Sequence, residues 1–145
     1  MFTIEIDIDR PPQVVFDYLA DFENIPTWYS AVERVDKLTP GSVAAGARYR
    51  MRRSLPSGPA VNDVEVTEFV ANSAITLASQ SGPTPFTYRY RLSPAGQKTR
   101  LRLDGEISGA GLGGVFALLA PLAPRLFERG MRANLATLKR VLEKS

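Results

Sequence analysis

Seven short strand-like segments and one long amphipathic helix, in that order, are what most constrain this chain. Phe2, Ile4, Ile6 and Ile8 alternate with Thr3, Glu5, Asp7 and Asp9, the period of two of a half-buried strand. A helical interruption follows. Pro11 and Pro12 stand where a helix begins, with Asp9 as its expected cap, and Val14, Val15, Tyr18, Leu19 and Phe22 follow at helical spacing. Residues 21–29 read as a second short helix and a turn that places Trp28. Strand-like segments then succeed one another at 31–38, 47–55, 61–69, 74–80, 86–93 and 98–108, separated by turns rich in Gly, Pro, Asn and Ser.

Helical period returns only at the end. Phe127, Met131, Leu135, Leu138 and Leu142 step by 4, 4, 3 and 4, with Glu128, Arg129, Arg132, Lys139 and Arg140 on the other side. The expected elements are a short apolar helix at 113–120, a kink at Pro121–Pro124, and a long helix over 124–143. Twenty helical residues span roughly 30 Å, enough to cross a sheet. Seven antiparallel strands cannot bury an apolar face against two small helices alone, so the long helix must lie across them. The fold class is α+β, and residues 1–145 are expected to form one domain.

Composition removes several chemistries. With no cysteine there is no disulfide framework or thiolate metal site, and with no histidine the commonest general base and metal ligand is missing. The net charge of +3 comes from 18 basic and 15 acidic residues that are interleaved, which gives no one-sign surface for nucleic acid. No basic segment precedes an apolar stretch at the N-terminus, so no signal peptide is expected and the default compartment is cytoplasmic. The most apolar run, 115–124, falls far short of the roughly 20 residues of a membrane-spanning helix.

Strand parity assigns the faces. One parity gives Tyr49, Met51, Arg53, Val64, Val66, Ile75, Leu77, Ser79, Phe86, Tyr88, Tyr90, Leu92, Leu101 and Leu103, the inward set. The other gives Arg48, Arg50 and Arg52, which can face Asp63 and Glu65, and Arg100 and Arg102, which can face Glu5 and Asp7 if the first strand pairs with the last. Alternation of sign makes this a solvated ladder rather than a nucleic-acid face. The inward set holds no carboxylate, so a paired-carboxylate acid/base site has no candidates. Arg53 is its odd member. An unpaired buried charge costs several kcal/mol, so Arg53 reaches the rim, finds a carboxylate, or meets a polar ligand group. Tyr49, Tyr88 and Tyr90 serve equally as core aromatics or as lining with polar tips, and Trp28 with Tyr29 can cap the open end of the sheet.

The run Gly109-Ala110-Gly111-Leu112-Gly113-Gly114 contains a G-x-G-x-x-G spacing, but no strand follows the helix after it. A dinucleotide site needs a parallel βαβ unit, so the run is expected to be a flexible hinge that lets the helix lift.

The chain resembles the START/Bet v 1-like (SRPBCC) superfamily, in particular its bacterial polyketide cyclase/dehydrase branch. The resemblance spans nearly all of it. It rests on Pro11-Pro12-Gln13-Val14-Val15-Phe16-Asp17-Tyr18-Leu19 and Asp21-Phe22-Glu23-Asn24-Ile25-Pro26-Thr27-Trp28. It continues through Gly46, Glu65-Val66-Thr67-Glu68-Phe69, Tyr88-Arg89-Tyr90-Arg91-Leu92, the strand 99–105, and Leu135, Leu138 and Leu142. The resemblance implies a helix-grip fold: a seven-stranded curved antiparallel sheet wrapped around a long C-terminal helix, two short helices between strands 1 and 2, and a deep cavity between sheet and helix. Members bind lipids, sterols, quinones, polyketides or plant hormones. Some are aromatase/cyclases and many are carriers without chemistry.

The leading expectation is therefore binding or transport of an apolar small molecule, with no cofactor, no metal and no catalytic residue assigned. Its polar group would meet Tyr49, Arg53, Asn62 or Tyr88. Trp28, Met51, Val64, Leu77, Tyr90, Leu103, Phe127 and Met131 would supply the rest of the lining. The alternatives are a polyketide aromatase/cyclase that shapes its substrate, with Tyr or Arg as proton donor or oxyanion stabiliser, and a regulatory protein-interaction module. The expected state is a monomer or weak homodimer, without nucleic acid or a transmembrane segment, and with room for transient membrane contact.

Overall fold

Period-two alternation becomes a real division between faces. The computed structural model describes residues 1–111 and 114–144. Its strands are β1 (Phe2–Ile8), β2 (Val32–Lys37), β3 (Arg48–Leu55), β4 (Gly58–Val70), β5 (Ala74–Ser81), β6 (Phe86–Ala95) and β7 (Lys98–Ile107). They form one antiparallel sheet in the order β1-β7-β6-β5-β4-β3-β2. Burial in β3 and β7 alternates residue by residue, as expected where one face is covered and the other wet. Register shifts in β4 at Asp63/Val64 and Val66/Glu68 interrupt the ladder with β5. Such bulges bend a strand and let a long sheet curve.

Between β1 and β2 lie α1 (Pro12–Ala20) and a 3-10 helix (Phe22–Thr27). The α1 helix buries Val15, Phe16 and Leu19, whereas Val14 is exposed. Pro11 is its N-cap and no side chain caps it, which corrects the expectation for Asp9. The Asp9 backbone N–H instead donates to Glu143 at 2.8 Å, drawn off by the far end of the chain.

The last helix, α2 (Ala123–Glu143), lies across the sheet and packs chiefly on β1 and β7. Met131, Leu135, Leu138 and Leu142 are buried, and with the sheet and α1 they form one apolar cluster. This is the helix-grip arrangement. The predicted short helix at 113–120 is a 3-10 helix over Gly114–Leu122 that runs directly into α2. Pro121 lies inside this 3-10 helix, while Pro124 falls in the first turn of α2, where its missing N–H costs no helical bond. The C-terminal end of α2 is tied down. Lys139 Nζ donates to the Asp7 carbonyl at 2.6 Å, and Arg10 Nε donates to the Leu142 carbonyl at 2.8 Å.

The outer face carries the expected ladder in part: Arg48 stands opposite Glu65 and Arg50 opposite Asp63, but Arg52 stands opposite Val61. Arg50 pairs with Asp63 and Arg100 with Asp7 across strands, while Arg102 turns to Asp104 on its own strand rather than to the opposed Glu5. Hydrogen bonds hold the carboxyls below their ordinary range: from Arg100 at Asp7, from Arg50 at Asp63, from Thr76 and then Arg89 at Glu68, and from Lys139 at Glu143. Carboxyls with lowered folded-state values contribute stability that is complete above their unfolded values and lost as pH falls through the folded ones. With no histidine to titrate, the unfolding midpoint is expected to stay flat from about pH 6 to 8 and to drop below about pH 4. Thermal melts across that range check this; a step near pH 6.5 would contradict it.

Candidate functional site

Arg53 lies near the end of β3, on the face beneath the helices, and is 2 % exposed. Its neighbours across the sheet are Val32 and Ala60, small enough to leave room for a guanidinium. Nη1 donates to Asn62 Oδ1 at 2.8 Å, to Thr84 Oγ1 at 2.7 Å, and at 3.4 Å to the Pro83 carbonyl. The guanidinium carbon sits 5.4 Å from the Phe86 ring centre and 5.8 Å from that of Phe127. Nε and Nη2 are buried without a hydrogen-bond partner. Among the described residues Arg53 has no ion pair with a carboxylate. Burial therefore holds it below its ordinary value, offset in part by Tyr29 and Tyr88.

Tyr88 is the second unusual group. Its hydroxyl has no partner in hydrogen-bonding geometry, although it lies near enough to Tyr29 for each to shift the other. Burial raises the Tyr88 phenol well above its usual range, so it keeps its proton and can donate. Around neutral pH the cluster thus offers a cation and phenolic O–H groups, which suits an oxyanion or carbonyl.

The loop between β5 and β6 fixes this arrangement. Asn62 Nδ2 donates to the Pro83 carbonyl at 2.8 Å and to that of Ser81 at 3.1 Å. Thr84 is fully buried at a φ of 49°, a conformation a β-branched residue rarely adopts and one that costs about 1–3 kcal/mol. Its N–H donates to the Ala110 carbonyl at 2.6 Å, and its hydroxyl receives Arg53. The described part of the glycine-rich run meets this loop closely. A Cβ at Gly111 would lie 2.8 Å from Pro83, and one at Gly109 would lie 2.5 Å from Ala120. Both glycines therefore permit close backbone approach. Leu112 and Gly113, the rest of the predicted hinge, lie outside the described residues.

The space under the helices is largely filled. Leu19, Phe22, Ile25, Trp28, Ile75, Leu77 and Tyr90 surround only about 10 Å³, hardly one water. Met51, Val64, Leu103 and Met131 are core residues, each at most 3 % exposed. Tyr49 packs edge-on to Phe22 at 4.9 Å, and Trp28 edge-on to Tyr90 at 6.4 Å. The Tyr49 hydroxyl and Trp28 Nε1 are both buried without a partner. Among the described residues, these side chains fill the space beneath α1 and the 3-10 helix over Phe22–Thr27, where the resemblance led one to expect part of a deep cavity. A larger apolar pocket of about 210 Å³ opens near the start of α2, lined by Pro56, Phe116, Leu119, Ala123, Leu126 and Phe127.

Of the residues expected from sequence, the structure gathers Arg53, Asn62, Tyr88 and Phe127 into one cluster. Phe127 links it to the pocket, since its ring both lines the pocket and faces Arg53. Sequence reasoning passed over Thr84 and Phe86 at this cluster, and placed Tyr29 beside Trp28 at the open end of the sheet rather than beside Arg53 and Tyr88. It also passed over Asn134, a buried residue of α2 whose Oδ1 accepts from the Ser30 backbone at 3.2 Å. Phe86 had a signal in its inward parity. Thr84 had none, because a turn residue shows its φ only once the loop is folded.

Comparison with known proteins agrees with this architecture. The family model described as polyketide cyclase/dehydrase and lipid transport matches residues 1–143. None of the curated proteins matches the sequence. Among solved structures, the Zhui aromatase/cyclase from Streptomyces sp. R1128 aligns with a TM-score of 0.81 at 15% identity, over 99% of this chain and 93% of that one. A START superfamily protein from Mycobacterium smegmatis aligns at 0.76 with 16% identity, over 99% and 97%. The protein TTHA0849 from Thermus thermophilus aligns at 0.79 with 19% identity, over 97% and 94%. Likeness at such identities speaks for the fold and not for a shared ligand.

Proposed function

Because this chain belongs to the polyketide cyclase/dehydrase and lipid transport family, matched over residues 1–143, we propose that it binds and carries an apolar small molecule with an anionic or carbonyl head. The observation that carries this reading is Arg53: buried, without an acidic partner among the described residues, and with Nε and Nη2 unused. A desolvated cation without a counter-charge is costly, and a ligand oxyanion would relieve that cost. Tyr88 would add a second donor. The apolar body would occupy the pocket that Phe127 shares with the Arg53 cluster. At about 210 Å³ the pocket is smaller than the roughly 300–1,000 Å³ of typical ligand sites, so occupation requires Phe127 and the 3-10 helix over Gly114–Leu122 to yield.

The test uses the intact chain, purified under native conditions. Mass spectrometry of an organic extract is expected to show a co-purified lipophile. For protein stripped of it, dodecanoate at about one hundred times its Kd should stabilise by about 2.7 kcal/mol, a rise of roughly 5–10 °C in Tm for a chain of this size. No extracted lipophile, together with no shift by dodecanoate or dodecanol, would sink the proposal.

A further inference from the structure

Where α2 begins, the molecule leaves its apolar side chains in water. Val115 is 73% exposed, Leu118 82%, Leu122 51% and Leu126 55%. Val115 and Leu118, three apart in a 3-10 helix, share one face; Leu122 and Leu126, four apart, share another along the helix start. Isolated exposed leucines are ordinary, but four large apolar side chains exposed within twelve residues are the kind of concentration that marks an interaction surface. The stretch of chain that carries it is basic. No acid occurs in the sequence between Glu106 and Glu128, and Glu128 is engaged by Arg132. Arg125 and Arg129 are exposed and make no ion pair among the described residues. The 210 Å³ pocket opens on the same surface, since its lining residues Leu119 and Leu126 are themselves exposed.

The geometry points to this ridge as a docking surface for an anionic lipid bilayer, with Val115, Leu118 and Leu122 entering the interface and Arg125 and Arg129 meeting headgroup phosphates. Apolar side chains beside basic ones suit that boundary, because the first gain by leaving water and the second by approaching negative charge. The contact is peripheral, as no helix among the described residues is long and apolar enough to cross a membrane. Docking does not depend on the role of Arg53, and the variants below spare the pocket lining and the Arg53 cluster.

The experiment is flotation of the full chain with phosphatidylcholine vesicles, with and without phosphatidylglycerol, at low and high salt. Binding is expected to the anionic vesicles, and to weaken with salt. Arg125→Gln with Arg129→Gln should lower partition by about tenfold or more. Leu118→Asp with Leu122→Asp should abolish it with the circular dichroism of the fold retained, while the arginine double variant keeps its Tm and its dodecanoate binding in solution. Anionic vesicles left unbound, or bound equally well by the leucine double variant, would overturn the proposal. So would a dimer in sedimentation velocity that Leu118→Asp dissociates, because the ridge would then belong to a second copy.

Discussion

Replacing Arg53 by methionine is expected to weaken dodecanoate binding about a hundredfold and to change dodecanol binding by less than about threefold. Arg53 keeps two N–H-bearing nitrogens, Nε and Nη2, without partners. A hydrogen bond to a charged group contributes about 1.5–3 kcal/mol, so two of them amount to roughly 3 kcal/mol or more, which is about two decades in Kd. Methionine is unbranched and flexible, so it fills much of the same volume. It forfeits the bonds to Asn62 and Thr84, but it also removes a desolvated cation. These effects oppose each other, and the folded state should survive. Arg53→Lys keeps the charge but loses the planar fork and should retain only part of the affinity. Calorimetric titration of both ligands into the three proteins separates the contributions. Equal dodecanoate affinity in Arg53→Met and the parent would remove Arg53 from the site.

The sequence exposed Arg53 for a simple reason. Side chains alternate along a strand, so an arginine at the parity of Tyr49 and Met51 must point inward whatever the strand pairs with. The same argument placed Tyr88, and opposite charges were compatible with a β1–β7 pairing, which Asp7 and Arg100 make. Contacts that depend on long-range closure were out of reach. Asp9 is a good helix cap by local rules, yet its N–H goes to Glu143 at the other end of the chain. Thr84 lies 31 residues from Arg53 and takes its role from a turn. How completely the rings beneath α1 fill their space was illegible as well. Empty volume is what remains after rings such as Phe22, Trp28 and Tyr90 pack together, and sequence pattern names those rings without fixing their angles.

Gly82→Ala is expected to be the most damaging small substitution near the site, lowering stability by about 3 kcal/mol and Tm by roughly 10 °C. Two effects combine there. Gly82 has a φ of +101°, which strains any L side chain, and a Cβ would come within 2.3 Å of the Val61 carbonyl and 2.7 Å of Asn62 Nδ2. The carbonyl belongs to β4 and cannot swing aside as a side-chain tip would. Gly96→Ala isolates the first effect. Gly96 also has a positive φ, +67°, but a Cβ there meets nothing within 4 Å, so its cost should stay near 1 kcal/mol. The difference between the two measures how tightly the β5–β6 loop is drawn onto β4. It also bears on function. Asn62 receives Arg53 through Oδ1 and holds the loop through Nδ2, so moving Asn62 must move the guanidinium or release Thr84. Gly82→Ala should therefore lower dodecanoate affinity without touching the pocket, whereas Gly96→Ala should not. If both alanines cost the same and both bind dodecanoate like the parent, the loop does not hold Arg53 in place, and Asn62, Phe86 and Phe127 position the guanidinium without it.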